Sequence, residues 1–459
     1  MKKNVALQDE MVKFISPLSN PMRYTLNEYG SGKLFADTFS DTLCYVNDIK
    51  CWFHYDGVAW QKSDSAAMQC ANELLDYLIS LSEPNLSGFI EMLSKHTGKI
   101  TMIKEARYIY PVEFKDFDTN PYLLNCLNYT IDFVEHEIKQ LEHSPKHFIT
   151  KRANVNFDQE AKCDRWLDFV DEVMCSDLEL VKYLQKALGY SLFGSTSKEC
   201  FFILYGSSTR NGKGTCMETI LNLMGDLGKS LDPNSLSKKG GYSNGATPEF
   251  ARLDRMRFVN VSEPTKGQKL NAAFIKRLTG GDSVTARFVY QNTFEYRPQF
   301  KIFINTNHLL DIDDDTIFSS DRLKMIPFDR HFDETERDET LKETFRQPEN
   351  MSGILNWLLE GYKLFLSEGL TPPEKAVEAL KKYRRECDTI ALFIEEALVK
   401  SAKSKVKTSE LYENYIKWRE GFDGDLISQK EFVNKLREKD LVSRDGADGN
   451  VVRGYKFKD

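Results

Sequence analysis

The chain has no run approaching the ~20 apolar residues that a membrane-crossing helix needs, and its opening residues, MKKNVALQDE, hold no hydrophobic stretch of signal-peptide length. A cytoplasmic protein without a membrane partner is expected. The nine cysteines (44, 51, 70, 126, 163, 175, 200, 216 and 387) never form a C-x-x-C pair. Their scatter argues against a zinc site or a disulfide framework, and reduced, mostly buried thiols are expected instead. Positive charge is not in excess: 62 Lys and Arg stand against 69 Asp and Glu, a formal charge of −7. The whole surface will not coat nucleic acid, but a locally basic channel stays compatible, because counterion release depends on where cations sit. No internal repeat or low-complexity tract is evident, and residues 1–150 carry no paired-acid polymerase site.

What is present fits an ordinary globular protein, with 41% hydrophobic and 29% charged residues. A length of 459 residues exceeds one compact core, and at roughly 150 residues per domain suggests about three. Residues 1–150 read as an α+β region, with hairpins at Cys51 to Trp60 and Tyr129 to Leu141 and a helix from Ala66 to Ser82. Residues 151–195 are helical, and the apolar stripe from Trp166 to Leu188 predicts packed helical structure over Asp164 to Leu192, interrupted at Gly189. Residues 196–345 alternate strands with short helices, as an α/β nucleotide-binding core does, and 346–386 form a helical lid or connector. In 387–459, three helices (Thr389 to Lys400, Thr408 to Trp418, Gln429 to Lys439) and a terminal hairpin describe a winged-helix module.

Chemistry begins after the apolar strand Phe201 to Tyr205. The loop Gly206-Ser207-Ser208-Thr209-Arg210-Asn211-Gly212-Lys213-Gly214-Thr215 follows it and precedes a helix from Met217. Backbone N–H groups of such a loop surround the β- and γ-phosphates of a nucleotide, and the lysine neutralises their charge. The loop departs twice from G-x-x-x-x-G-K-[ST]. Its first glycine lies one residue further upstream, and Gly214 takes the position of the usual Mg-binding hydroxyl, which leaves Thr215 as the candidate ligand. A glycine-rich turn before a helix is the plainer alternative.

The strand Arg257 to Ser262 ends at Glu263, the one acid placed to hold a magnesium shell and orient an attacking water. Ser262 stands where many such ATPases have aspartate. Asn307, at the tip of the strand Phe300 to Ile304, can hydrogen-bond the γ-phosphate or that water. Arg322, just before the last strand, can serve as a finger to a neighbouring subunit. The segment from Lys276 through Arg287, Phe288 and Tyr290 to Tyr296 reads either as a DNA-facing hairpin or as a half-buried one. Lys435 and Arg437 in the last helix, with Arg453 in the hairpin, are candidate DNA contacts of the terminal module, and a solvated helix is the competing account.

Taken together, Asn211-Gly212-Lys213-Gly214-Thr215, Phe258 to Glu263, Lys276 with Leu278-Thr279-Gly280-Gly281-Asp282 and Arg287, Thr306-Asn307, and Arg322 before Ile326-Pro327-Phe328 resemble the superfamily 3 helicases of the phage and plasmid primase-helicase type, which include the poxvirus primase-helicase. The resemblance extends upstream to the Tyr55-Asp56-Gly57 and Trp60 region and downstream to the winged-helix-like end. It implies an AAA+-type P-loop core, ATP and Mg2+ as cofactors, and a homo-hexameric ring. Such a ring moves on single-stranded or forked DNA, usually 3′ to 5′. It also implies Lys213 as the phosphate lysine, Glu263 as the Walker B acid, Asn307 as the sensor and Arg322 as the finger. Replication of a phage, plasmid or other mobile element in a bacterial host follows as the expected setting, with a separate primase or other replication protein as a possible partner. An ATP-dependent initiator or loader that remodels origin DNA, and a scaffold whose ATP site only cements assembly, stand as alternatives.

Overall fold

The structure, a computed structural model, describes residues 21–133, 137–237, 248–289, 292–312, 314–420, 426–445 and 449–458. It divides into two compact units, Met1–Phe157 and Asp158–Asp459.

In the first unit, helices α1 (Glu28–Thr38), α2 (Ala66–Ser80), α3 (Ser87–Ser94) and α4 (His96–Ala106) accompany a sheet of β1 (Leu43–Val46), β2 (Cys51–Tyr55), β3 (Trp60–Lys62) and β4 (Pro111–Val112), in the order β3-β2-β1-β4. The Asp56-Gly57 turn forms as the sequence expects: Tyr55 pairs with Trp60, and the Asp56 carboxylate accepts from the amides of Val58 and Ala59. A second small sheet joins β5 (Leu123–Asn125), β6 (Thr130–Asp132) and β7 (Lys139–Leu141), with β6 and β7 antiparallel. Leu34, Phe35, Ala71, Leu74, Leu78 and Met102 make one core, and Phe53, Trp60 and Phe117 another.

The second unit opens with α5 (Asp164–Val173) and α6 (Leu178–Tyr190). The helical stretch expected over Asp164 to Leu192 with an interruption at Gly189 breaks instead at 174–177, and Gly189 lies inside the second helix. Cys175 and Ser176 adopt left-handed backbone (φ 54° and 56°), and the Asp177 carboxylate accepts from the amides of Glu179 and Leu180, starting the second helix afresh.

A five-stranded parallel sheet follows. Its strands are β8 (Phe201–Tyr205), β9 (Gly228–Leu231), β10 (Phe258–Ser262), β13 (Lys301–Thr306) and β14 (Leu323–Pro327), in the order β14-β8-β13-β10-β9. Nearly every strand residue is buried, the pattern of a sheet covered on both faces. Between the strands lie α7 (Lys213–Met224), α8 (Pro248–Ala251), α9 (Ala272–Thr279), the antiparallel pair β11 (Val284–Ala286) and β12 (Phe294–Tyr296), and α10 (Thr316–Ser319). Helices α11 (Leu341–Arg346), α12 (Pro348–Glu368) and α13 (Glu374–Cys387) complete this part. Tyr383 on α13 is buried beside Phe318 and donates to the Leu310 carbonyl, fixing α13 to the sheet's loops.

The chain ends in α14 (Thr389–Ala397), β15 (Leu398–Lys407), α15 (Thr408–Arg419), α16 (Gln429–Glu438), β16 (Val442–Asp445) and β17 (Gly449–Phe457), with sheet order β15-β17-β16. Strand β15 was not expected from the sequence. Its lysines interrupt any apolar alternation, and only Leu398 and Val406 reach the core shared with Phe393, Tyr415, Phe432 and Val452. Among the described residues, no helix is long and apolar enough to cross a membrane.

Candidate functional site

Parallel sheets gather functional groups at the carboxyl ends of their strands. Here that edge brings together the loop after β8, Glu263 after β10 and Asn307 after β13. The loop closes tightly. A Cβ on Gly206 would lie 2.2 Å from the Phe328 carbonyl oxygen, so only glycine fits beside the end of β14. Gly212 has φ +83°, and a Cβ there would meet Val173 Cγ1 at 2.4 Å, so α5 forms a floor beneath the loop. Asn211 is buried and donates to the Ser208 carbonyl. On the outside, His331 Nδ1 lies 2.9 Å from the Thr209 carbonyl oxygen and the Phe332 amide donates to that of Arg210 at 2.9 Å.

Lys213 is the first residue of α7 and only 4% exposed. Its Nζ donates to Asn307 Oδ1 at 2.8 Å and to the Gly206 carbonyl at 3.3 Å. Burial pushes its ammonium down to about 8, while the carboxylate of Glu263 works in the opposite direction. A desolvated cation at a helix N-terminus, backed by one carbonyl and one amide oxygen, is suited to an incoming anion. Gly214 and Thr215 continue the first turn of α7. The space around Gly214 is open, with nothing within 4 Å of a Cβ placed there.

Glu263 is exposed with φ 52°, and its amide donates to the Asn305 carbonyl. Beneath it lies a polar network that sequence reasoning missed. Asn305 Nδ2 donates to Asn260 Oδ1 at 3.0 Å and to Ser262 Oγ at 2.9 Å, and Asn260 Nδ2 also donates to Ser262 Oγ at 3.0 Å. Ser262 is thus tied to two amides that lock β10 to β13. The signal was available as two polar residues at i and i+2 in an otherwise apolar strand, which places them on one face. A cavity of about 320 Å3 opens beside Asn307 and is walled by Tyr205, Lys266, His308 and Asp311.

Arg322 is not part of this cluster. It precedes β14, whose register with β8 runs from Leu323 opposite Phe201 to Pro327 opposite Tyr205. It therefore sits at the amino end of the sheet, a strand length of about 17 Å from the loop. There its guanidinium meets the Glu199 carboxylate at 2.5 Å and Thr279 Oγ1 at 3.2 Å. Lys276 is committed to Asp314 at 2.6 Å. Arg287 and Phe288 lie beyond β11, where Phe288 is 38% exposed and stacks on Phe294. Tyr290 lies outside the described residues. Lys435 and Arg437 are on α16, and Arg453 on β17 shares Asp445 with Lys405.

The family described as "D5 N terminal like" matches residues 32–175, and a family of unknown function (DUF5906) matches residues 204–322. The chain is 28% identical over 380 residues to "Putative helicase L207/L206" of Acanthamoeba polyphaga mimivirus, covering 77% of this chain and 39% of that protein. It is 25% identical over 400 residues to "Putative helicase 121R" of Invertebrate iridescent virus 3, covering 76% and 40%. The chain thus spans about two-fifths of the length of these curated relatives. Both relatives are viral, so the bacterial host expected from the sequence gains no support. The apo structure of the NrS-1 C-terminal region shares the fold, with a TM-score of 0.50 at 11% identity over 90% of this chain and 96% of that one.

Proposed function

We propose, from the premise that this chain belongs to the D5-like primase-helicases, that it is an ATP-dependent DNA helicase acting in the replication of a virus or other mobile element. The observation that carries this reading is the buried, desolvated Lys213, held between Gly206 and Asn307 at the carboxyl edge of a parallel sheet with Glu263 beside it.

These residues fit ATP and Mg2+. The amides of 206–212 and the Lys213 ammonium would hold the phosphates, and Thr215 with Glu263 would hold the magnesium shell. The metal, when bound, supplies charge neutralisation on the phosphates. Glu263 orients the attacking water and accepts its proton. Asn307, whose Oδ1 is engaged by Lys213, has its Nδ2–H2 left to donate to the γ-phosphate or the water. Arg322 is at the wrong end of its own sheet to reach this site, which favours a finger given in trans within a ring, by inference a hexamer.

The α14–β17 segment has the helix-strand-helix-helix-strand-strand order of a winged helix, and we assign it that role. The first unit serves assembly or contact with a replication partner such as a separate primase. Translocation 3′ to 5′ is part of the proposal.

Unwinding of 3′-tailed and 5′-tailed forks, with Lys213→Ala and Arg322→Ala as controls, tests it. Strand separation on the 3′-tailed fork alone, lost in both variants, is the expected result. DNA-stimulated ATP hydrolysis without strand separation would replace the helicase by an initiator or loader.

A further inference from the structure

The terminal module presents two basic surfaces, and the sequence draws attention to the weaker one. Helix α16 carries Lys430, Lys435 and Arg437, but Glu431 and Glu438 lie on the same helix, and Arg437 is turned onto Asn434. Lys439, just past its end, is paired with Asp388. The sheet differs. Strand β15, LVKSAKSKVK, has four lysines and no acid, and β17 adds Arg453 and Lys456 with no acid.

Register decides where these cations point. Val406 and Val452 pair with each other and enter the core under α14–α16, so the adjacent pair, Lys405 with Arg453, faces the opposite side, as does the exposed Lys407 on the edge strand, whose partner Val451 is itself buried. Lys456 pairs with Val399, which is 39% exposed, on that same outer side. Lys405, Lys407, Arg453 and Lys456 are all exposed. Among the described residues Asp445 stands beside them, and it accepts from Lys405 and Arg453 at 3.0 Å each. Among the described residues this face thus gathers four cations about Asp445, in a chain whose formal charge is −7.

We infer that the sugar-phosphate backbone of DNA binds on this outer face of β15 and β17, on the side of the module away from α16. Cations two residues apart on one strand recur every ~6.7 Å, and the paired strand supplies a second row about 5 Å away, so an extended backbone meets several of them at once. Charge complementarity selects a polyanion, and the inference rests on the DNA-acting function proposed above.

The test is equilibrium binding of single-stranded and duplex oligonucleotides to the full chain across a salt series. The sheet variant is Lys405→Ala/Lys407→Ala/Lys456→Ala, and the helix variant is Lys430→Ala/Lys435→Ala/Arg437→Ala. Each phosphate contact contributes about 0.7 to the slope of log K against log salt for single strands and about 0.9 for duplex. Loss of three contacts in the sheet variant should therefore flatten the slope by roughly 2 to 2.7, according to which DNA form it engages. The helix variant should leave the slope near that of the unaltered chain. Arginine at the same three sheet positions should restore it, which separates charge from folding.

An unchanged slope in the sheet variant, with the unaltered chain binding DNA, overturns the assignment, and flattening confined to the helix variant returns the contact to α16. If the unaltered chain binds neither DNA form, the DNA-acting function itself fails, and this surface with it.

Discussion

Lys213 Nζ donates to Asn307 Oδ1 at 2.8 Å, joining the first residue of α7 to the tip of β13 across the carboxyl edge of the sheet. An ammonium has only donors, so this contact fixes which way the Asn307 amide faces and leaves its Nδ2–H2 available. Loss of that amide should act on turnover more than on binding. Asn307→Ala is expected to lower kcat for ATP hydrolysis by about 100-fold, as removal of one oriented donor does elsewhere, and to leave nucleotide affinity within a few-fold. Parallel titration with a fluorescent ATP analogue checks the split. A loss of affinity as large as the loss of kcat would mean that Asn307 only positions Lys213.

Arg322 supplies a second prediction. Because it lies about a strand's length from Lys213 in its own chain, Arg322→Ala and Lys213→Ala subunits should complement each other in mixed assemblies. Each variant alone is expected to be inactive. A mixture recovers ATPase activity where an intact Lys213 faces an intact Arg322 across a subunit boundary. No recovery, with mixed assemblies shown to form, would confine Arg322 to its own-chain contacts with Glu199 and Thr279.

The depressed pKa of Lys213 gives a pH dependence with a defined sign. Burial brings it to about 8 in the folded, unliganded chain, below the 10.5 of an ordinary lysine. Between those values the unfolded chain holds a proton that the folded one has lost, so this group's contribution to stability rises with pH across the window. Nucleotide works the other way, because a polyphosphate favours the charged lysine. Above about pH 8, ATP-analogue binding should take up a proton, and affinity should fall by up to about tenfold per pH unit. Calorimetry in two buffers of different ionisation enthalpy reads the proton directly. Lys213→Arg should bind without the uptake, since guanidinium stays charged.

How much of this was legible in the sequence varies with the physics of each part. The apolar strand before Gly206, the glycine at Gly212 and the lysine after it were readable because a short buried strand, a positive φ and a helix start each leave a local mark. The split between α5 and α6 was missed because the stripe from Trp166 to Leu188 stays apolar across it, and only Asp177 marks the new start. Strand β15 was hidden by its lysines, whose stems and charges serve an outer face with no apolar alternation to reveal it. The Asn260–Ser262–Asn305 network depends on β10 lying beside β13, a neighbour relation that spacing along the chain does not disclose.

If the loop holds ATP and Mg2+ as proposed, Gly214 occupies the position of the magnesium-binding hydroxyl in G-x-x-x-x-G-K-[ST]. Open space surrounds it, unlike Gly206 and Gly212, where a side chain collides with Phe328 or Val173. Gly214→Ser should therefore fold, and the gain in helix propensity over glycine should make it more stable by a few tenths of a kcal/mol. If Thr215 provides the displaced hydroxyl, Thr215→Ala should raise the Mg2+ concentration needed for half-maximal ATPase activity by at least tenfold. The double variant Gly214→Ser/Thr215→Ala should recover much of that loss by returning the hydroxyl to its usual place. Unaltered magnesium dependence in Thr215→Ala would remove Thr215 from the metal shell and leave Glu263 as its protein anchor.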